Sequence, residues 1–156
     1  MSSSAMARLL ALLLPLALIA GALGSQFFGG LYPCEMCHWQ RWPHYAAILL
    51  ALLAFLLPAP GARKGLVLLA AIAIAVSGAI GVFHAGVEYG WWQGITECSV
   101  LNAGSGQSSL ADIMASPLIR CDVPQWTLFG ISLAGYNAIF SLGGAALILW
   151  LWLKAR

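Results

Sequence analysis

Polar residues punctuate this chain rather than alternate with apolar ones. Four apolar runs, at about residues 9–28, 43–57, 66–83 and 128–153, are separated by stretches that hold nearly all the charge. A helix crossing the hydrocarbon layer needs about 20 apolar residues at 1.5 Å per residue. The run from Pro43 to Leu57 is short at 15, so its helix is expected to begin earlier or to sit near a thinned interface. Nothing alternates with period two, and Leu and Ala dominate, so the runs read as helices and not strands. The expected fold is all-α: an up-down four-helix transmembrane bundle. It forms one membrane domain over residues 1–156, with outer loops at about 29–42 and 84–127. The segment AGALGS (Ala20–Ser25) has the look of a signal-peptide processing site, but the apolar core before it is long and only Arg8 precedes it. The first run is therefore read as a retained helix.

Composition agrees with the pattern. The chain is 62% hydrophobic and 8% charged, whereas a soluble domain carries roughly a quarter of its residues as Asp, Glu, Lys and Arg. That excludes the soluble, disordered and fibrous classes and leaves a lipid bilayer as the surroundings.

Charge sets the orientation. If the N-terminus is cytoplasmic, Arg8, Arg63, Lys64, Lys154 and Arg156 lie inside, with no acid among them. All five acids (Glu35, Glu88, Glu97, Asp112 and Asp122) then lie outside with Arg41 and Arg120. Excess Lys and Arg on short loops marks the cytoplasmic side, so both termini are expected in the cytoplasm. The small net charge of +2 hides this asymmetry and gives no reason to expect nucleic acid. Tryptophans flank the runs, Trp39, Trp42, Trp91, Trp92 and Trp126 at the outer ends and Trp150 and Trp152 at the inner end, as interfacial indoles do.

Small residues recur at four-residue spacing: Ala17 and Gly21 in the first run, Ala73, Ser77 and Gly81 in the third, Ala134 and Ala138 in the fourth. They permit close helix packing in lipid. In the second loop, Leu110, Ile113 and Met114 share one helical face between Ser109 and Pro117. A short helix there would lie in the headgroup layer. The Gly/Ser-rich stretch before it, NAGSGQSS, reads as a hinge. Glu88 and Glu97 read as solvated loop charges.

All four cysteines fall on the outer side: Cys34 and Cys37 in the first loop, Cys98 and Cys121 in the second. Disulfides persist in the bacterial periplasm or the secretory lumen and are rare in cytosol. Three readings are open. Structural bonds are one, although a C-x-x-C bond closes a tiny loop and restrains the unfolded chain little. Zinc is another, but Cys98 and Cys121 stand 22 residues apart rather than as a second short-spaced couple, and His38 and His44 do not make one. The third is thiol–disulfide exchange, in which the second thiol of C-x-x-C resolves a mixed disulfide. No metal is expected.

Taken together, Pro33-Cys34-Glu35-Met36-Cys37 with Arg41 four residues on, His84 closing the third run, and the pair Cys98 and Cys121 resemble the disulfide bond formation protein B (DsbB) family of quinone-linked thiol oxidases. The resemblance spans essentially the whole chain. The segments FHAGVEYGWWQGITEC and RCDVPQWTLFGISLAGYN are similar to alphaproteobacterial members. It implies an oxidoreductase of the bacterial inner membrane that reoxidises a DsbA-like periplasmic dithiol oxidase. Electrons would pass through the redox pairs Cys34–Cys37 and Cys98–Cys121 to ubiquinone or menaquinone. Cys98 would meet the partner, Cys121 would meet Cys34, and Cys37 would face the quinone with Arg41 and His84 beside it. Gln40 stands where some members carry glutamate, which argues against an acid–base role there, and Pro43 is expected to start or kink a helix. Arg41, one turn on from Cys37, would lower the pKa of that thiol by favouring the thiolate.

This topology is testable in reduced, intact spheroplasts. A membrane-impermeant maleimide should label all four cysteines; labelling that requires permeabilisation would overturn the orientation.

Overall fold

The structure is a computed structural model and describes residues 2–95 and 119–155. Four long helices form it: α1 (Ser3–Phe27), α2 (Glu35–Leu56), α3 (Pro60–Glu88) and α4 (Leu133–Lys154). A two-stranded ribbon, β1 (Thr127–Leu128) and β2 (Ile131–Ser132), leads into α4. Each helix start has a local cause. Ser2 Oγ accepts the Ala5 N–H, and Ser132 Oγ accepts the Gly135 N–H at 3.1 Å, both N-caps of the usual kind. Pro60 occupies the first turn of α3, where its missing N–H costs nothing. The α2 cap is the sulfur of Cys34, which accepts the Cys37 N–H at 3.4 Å.

The helices form a ring in which α1 touches α2 and α4, and α3 touches the same two from the other side. Short connections at 28–34 and 57–59 make α1, α2 and α3 alternate in direction. The interior is made of small side chains: Ala7, Ala11, Ala47, Ala51, Ala54, Ala70, Ala71 and Ala145, with Ile74, Ile148 and Leu151. The large ones face outward, among them Leu13, Leu49, Phe55, Leu69, Ile72, Ile139 and Leu147. Water would not tolerate that arrangement. Lipid does, because tails solvate Leu as well as a core does and helices associate by close backbone approach. Helices α1, α3 and α4 are each long and apolar enough to cross a membrane. Helix α2 has the length, but its first turns carry Glu35, His38, Gln40, Arg41 and His44.

One end of the bundle is basic. Arg8, Arg63 and Lys64 line a single cavity there, and the cations lie over rings: Arg8 over Phe55, Lys64 over Trp152 and Lys154 over Trp150. Cys34, Cys37 and Cys121 occupy the opposite end.

Several sequence boundaries move. Helix α2 begins at Glu35, eight residues before the apolar run, and carries Pro43 in its interior. Pro43 therefore does not start the helix. Helix α3 continues through His84 to Glu88. The segments 35–42 and 84–88, read as loop, are helical because their polar groups find partners inside the bundle. The fourth run begins as ribbon, not helix: Leu128 pairs with Ile131 across a turn whose central residues, Phe129 and Gly130, both have positive φ. Two-residue hairpins need that sign at both positions, which apolar counting cannot see. Tyr89 fastens the ribbon to the end of α3: its hydroxyl donates to Gly130 O and accepts the Ser132 N–H. Of the small-residue pairs, Ser77, Gly81, Ala134 and Ala138 are buried, whereas Ala17 and Gly21 are exposed and border a groove. The expected interfacial helix at 109–117, the hinge before it, Glu97 and Cys98 lie outside the described residues.

Gly81 marks the closest approach of α3 to α4. A Cβ added there would lie 3.0 Å from Ala134 O and 3.1 Å from Ala138 N, and backbone cannot step aside. Gly81→Val should lower stability by about 1–3 kcal/mol, the usual cost of overpacking. Gly143→Val, with open space around it, should leave the melting temperature in detergent nearly unchanged. Equal melting of the two variants would remove this contact from the list of packing constraints.

Candidate redox site

Helix α2 starts at a cysteine and puts the next one in its first turn, so the backbone itself brings the thiols together. Cys34 Sγ donates to Cys37 Sγ at 3.1 Å, from which a short rotation reaches the roughly 2.05 Å of a disulfide. Cys34 is 4% exposed and Cys37 half-buried. The hydrogen bond splits their acidities. Cys37 is held below the ordinary thiol range, first by the hydrogen bond from Cys34, and a place in the first turn of a helix acts the same way. Cys34 is pushed above it, first by holding the proton toward Cys37 and then by burial. Cys37 is thus the first of the pair to ionise, and Cys34 the one that keeps its proton. Cys121, 3% exposed, packs into the same cluster with Cys34, Met36, Val87 and Ile119. Gln125 holds this return arm over the first loop by donating to Tyr32 O at 2.6 Å.

Behind the thiols runs a buried polar network anchored on backbone carbonyls. Gln40 Nε2 donates to Met36 O at 3.2 Å and to His84 Nδ1 at 2.8 Å. A carbonyl oxygen only accepts, so the Gln40 amide has one orientation and His84 Nδ1 must be the bare nitrogen. The ring proton is therefore on Nε2, 3.5 Å from Cys34 Sγ and 3.6 Å from Glu88 Oε1. Asn137 is fixed in the same way. Its Nδ2 donates to Gln40 Oε1 and Ser77 O, leaving Oδ1 to accept from Ser141 Oγ and His44 Nε2. Inside a bundle each polar group must be satisfied by another, and this one is satisfied by interlocking.

Cys34, Cys37 and His84 offer ligand atoms within 4.8 Å of one another. Such a trio could begin a metal site. With its proton on Nε2, however, His84 has no lone pair aimed at the sulfurs, and the arrangement suits proton and electron transfer better than ligation.

A cavity of about 240 Å³ opens beside the pair, walled by α1 residues such as Ala17, Gly21 and Ala22, and reached by Cys37, Arg41 and His44 of α2. The Arg41 guanidinium crosses to α1, donating to Gln26 Oε1 at 2.7 Å and to Ala22 O. The low Cys37 pKa comes first from the hydrogen bond from Cys34 rather than from Arg41. Arg41 borders the cavity as a positive wall.

Cys34, Cys37, Cys121, Arg41 and His84 are all gathered at this end; Cys98 lies outside the described residues. Glu88, read as a solvated loop charge, is instead a buried carboxyl beside His84, its side chain 8% exposed, because α3 extends one turn further than the apolar run. Gln40 acquires a positioning role in place of the acid–base role discounted for it. His44 enters the sequence reading only when weighed against zinc and Ser77 only as a small packing residue; Asn137 and Ser141 are missed. Their signal was present: polar residues inside apolar runs are costly and mark function.

An exchange-competent dithiol at one end of an apolar helical bundle defines a membrane protein of thiol–disulfide chemistry. The family model described as "Disulfide bond formation protein DsbB" matches residues 4–151, and the chain belongs to that family. It is thus a disulfide bond formation membrane protein. Comparison with curated proteins and with solved structures gave no match.

The split acidities are measurable by alkylation of the reduced protein. Cys37 should react with iodoacetamide with a midpoint below the ordinary thiol value of about 8.5, because its thiolate persists to lower pH, while Cys34 stays unreactive until well above it. Cys34→Ala removes the donated hydrogen bond and should move the Cys37 midpoint upward. An unmoved midpoint would assign the acidity to the helix terminus alone.

Proposed function

We propose that the protein is a thiol:quinone oxidoreductase. It reoxidises a DsbA-like dithiol oxidase and delivers the electrons to ubiquinone or menaquinone. The observation that carries this reading is the thiolate–thiol pair Cys37–Cys34 placed between Cys121 on one side and an apolar cavity with Arg41 on the other. The partner's thiolate attacks Cys98 of a Cys98–Cys121 disulfide. The second partner thiol resolves the mixed disulfide, leaving the partner oxidised and two electrons on the loop pair. Cys121 as thiolate then attacks Cys34 of a Cys34–Cys37 disulfide, releasing Cys37 as the leaving thiolate. Closure of Cys98 on Cys121 frees Cys34, and the electrons rest on the first pair. A quinone supplies the two-electron sink. His84 Nε2–H stands beside Cys34 to hold that sulfur's charge as the bond opens, and the Arg41 guanidinium offers a planar, positive donor for a developing oxyanion.

Four membrane spans, both termini in the cytoplasm and the cysteines in the periplasm complete the reading. The basic ring of cations over aromatic side chains at the far end and the outward-facing leucines support it. Helix α2 crosses with its polar first turns shielded by the cavity and the network.

Purified protein, a reduced DsbA-like protein and a short-chain quinone test it through quinone absorbance. Wild type should reduce quinone. Cys98→Ala should lose mixed-disulfide formation with the partner while Cys34–Cys37 remains oxidisable by quinone; Cys37→Ser should stop quinone reduction while the partner is still captured at Cys98. Arg41→Gln should raise the KM for quinone about tenfold, the loss of one charge-assisted hydrogen bond of about 1.5 kcal/mol, with Arg41→Lys milder. Quinone reduction that survives Cys37→Ser would refute the relay.

A further inference from the structure

The reading above leaves the buried His44 of the cavity wall unused. His44 is 3% exposed and borders the cavity, and its Nδ1 has no hydrogen-bond partner among the described residues. A buried polar atom without a partner is costly and calls for an explanation.

The tautomer of His44 follows from its neighbours. Its Nε2 lies 3.0 Å from Asn137 Oδ1, 2.9 Å from Ser77 Oγ and 3.4 Å from Ser141 Oγ. Each of these presents a lone pair. Asn137 uses Nδ2 as its donor toward Ser77 O and Gln40 Oε1. The Ser77 hydroxyl proton goes to Gln40 O at 2.8 Å, and that of Ser141 to Asn137 Oδ1 at 2.9 Å. The shared proton must therefore come from His44 Nε2. In the neutral ring Nδ1 is then a bare acceptor, locked in place by the network, and what it lacks is a donor.

The two redox forms of a quinone differ in just that respect. The oxidised ring has two carbonyl oxygens, which only accept. The reduced ring has two hydroxyls, which donate. The conversion takes two electrons from the Cys34–Cys37 pair as its S–S bond forms, and two protons: one from the Cys34 S–H and, since Cys37 gives up its proton first, one from solvent. Cys37 and His44 are seven residues apart on α2, two turns and about 10 Å along one face, so a single ring with para oxygens can lie between them.

We propose that His44 Nδ1 accepts a hydrogen bond from a ring hydroxyl of the reduced acceptor and so makes the cavity selective for hydroquinone over quinone. This rests on the thiol:quinone reading and goes beyond it. A site that binds the reduced form more tightly raises the potential of the bound couple, and each tenfold preference corresponds to about 30 mV for two electrons. His44 is thereby a residue that makes the bound acceptor a stronger oxidant than the free one.

The test uses the full chain carrying Cys37→Ser, so that neither ring form reacts. With histidine labelled at its ring nitrogens with 15N, His44 Nδ1, assigned by its loss in His44→Leu, should resonate as an unprotonated nitrogen in the free protein. A short-chain hydroquinone should shift it toward the hydrogen-bonded range; the matching quinone and the hydroquinone dimethyl ether should not. Tryptophan-fluorescence titrations should show hydroquinone preferred over quinone, with the preference falling about tenfold in His44→Leu. If His44→Leu does not fold, spectra of His38→Asn and His84→Asn supply the assignment and the shift experiment decides alone. A protonated Nδ1 in the free protein, or equal shifts from the quinone and the hydroquinone, overturns the proposal while leaving the quinone reading intact. Binding of neither ring form sinks the quinone reading itself.

Discussion

The amide of Gln40 is the constraint on which the site is built. Its two protons go to Met36 O and His84 Nδ1, and its oxygen accepts from Asn137. One side chain of α2 thereby ties its own helix to α3 and α4. In water such bonds compete with solvent and are worth little. In the interior of a membrane bundle the alternative is an unsatisfied group in an apolar medium, and the network acts as a register pin for three helices. The alanine-lined interior nearby supplies closeness but little direction, since Ala faces pack in many registers.

That pin also determines where protons sit. Because Gln40 occupies Nδ1 of His84, the His84 proton faces Cys34; because Asn137, Ser77 and Ser141 occupy Nε2 of His44, its Nδ1 lone pair is left without a partner among the described residues. A glutamine cannot titrate, so it adds no pH dependence of its own to these assignments. A glutamate at position 40 would couple them to its own protonation. The exchange of one for the other alters how rigidly the site is set without removing a hydrogen-bonding arm.

Much of this was legible in the sequence, for identifiable reasons. Run lengths give the helices, because a helix must match the bilayer. The C-x-x-C spacing gives the dithiol, because one helical turn brings the second thiol back to the first. What run counting missed was polar helix: 35–42 and 84–88 carry Glu35, Arg41, His84 and Glu88, which hydropathy assigns to loops although their partners lie across the bundle. It also missed the ribbon at 127–132, since Thr127–Ser132 is nearly as apolar as the helix that follows and only the backbone at Phe129 and Gly130 shows the turn. Arg41 was placed on the right face by the four-residue rule, but that rule cannot say that Gln26 of another helix would engage its guanidinium.

The asymmetry of the Cys34–Cys37 pair bears on the direction of electron flow. A dithiol whose reduced form is stabilised is a stronger oxidant, which is how DsbA proteins reach about −120 mV. Here the hydrogen bond from Cys34 and the start of α2 both stabilise the Cys37 thiolate. Both act only when the bond is open and so raise the potential of the pair. An ordinary structural disulfide, below about −300 mV, could not take electrons from a dithiol oxidase of the proposed kind. Burial opposes this by penalising the same charge, and the polar neighbours offset that penalty: the Cys34 thiol donates to Cys37, and the His84 proton faces Cys34. The geometry that makes the pair reactive is therefore also the geometry that makes it oxidising. A change that merely exposed Cys37 to water would relieve the burial but also weaken the directed hydrogen bond. The partly buried placement of Cys37, beside a fully buried Cys34, reconciles the two demands.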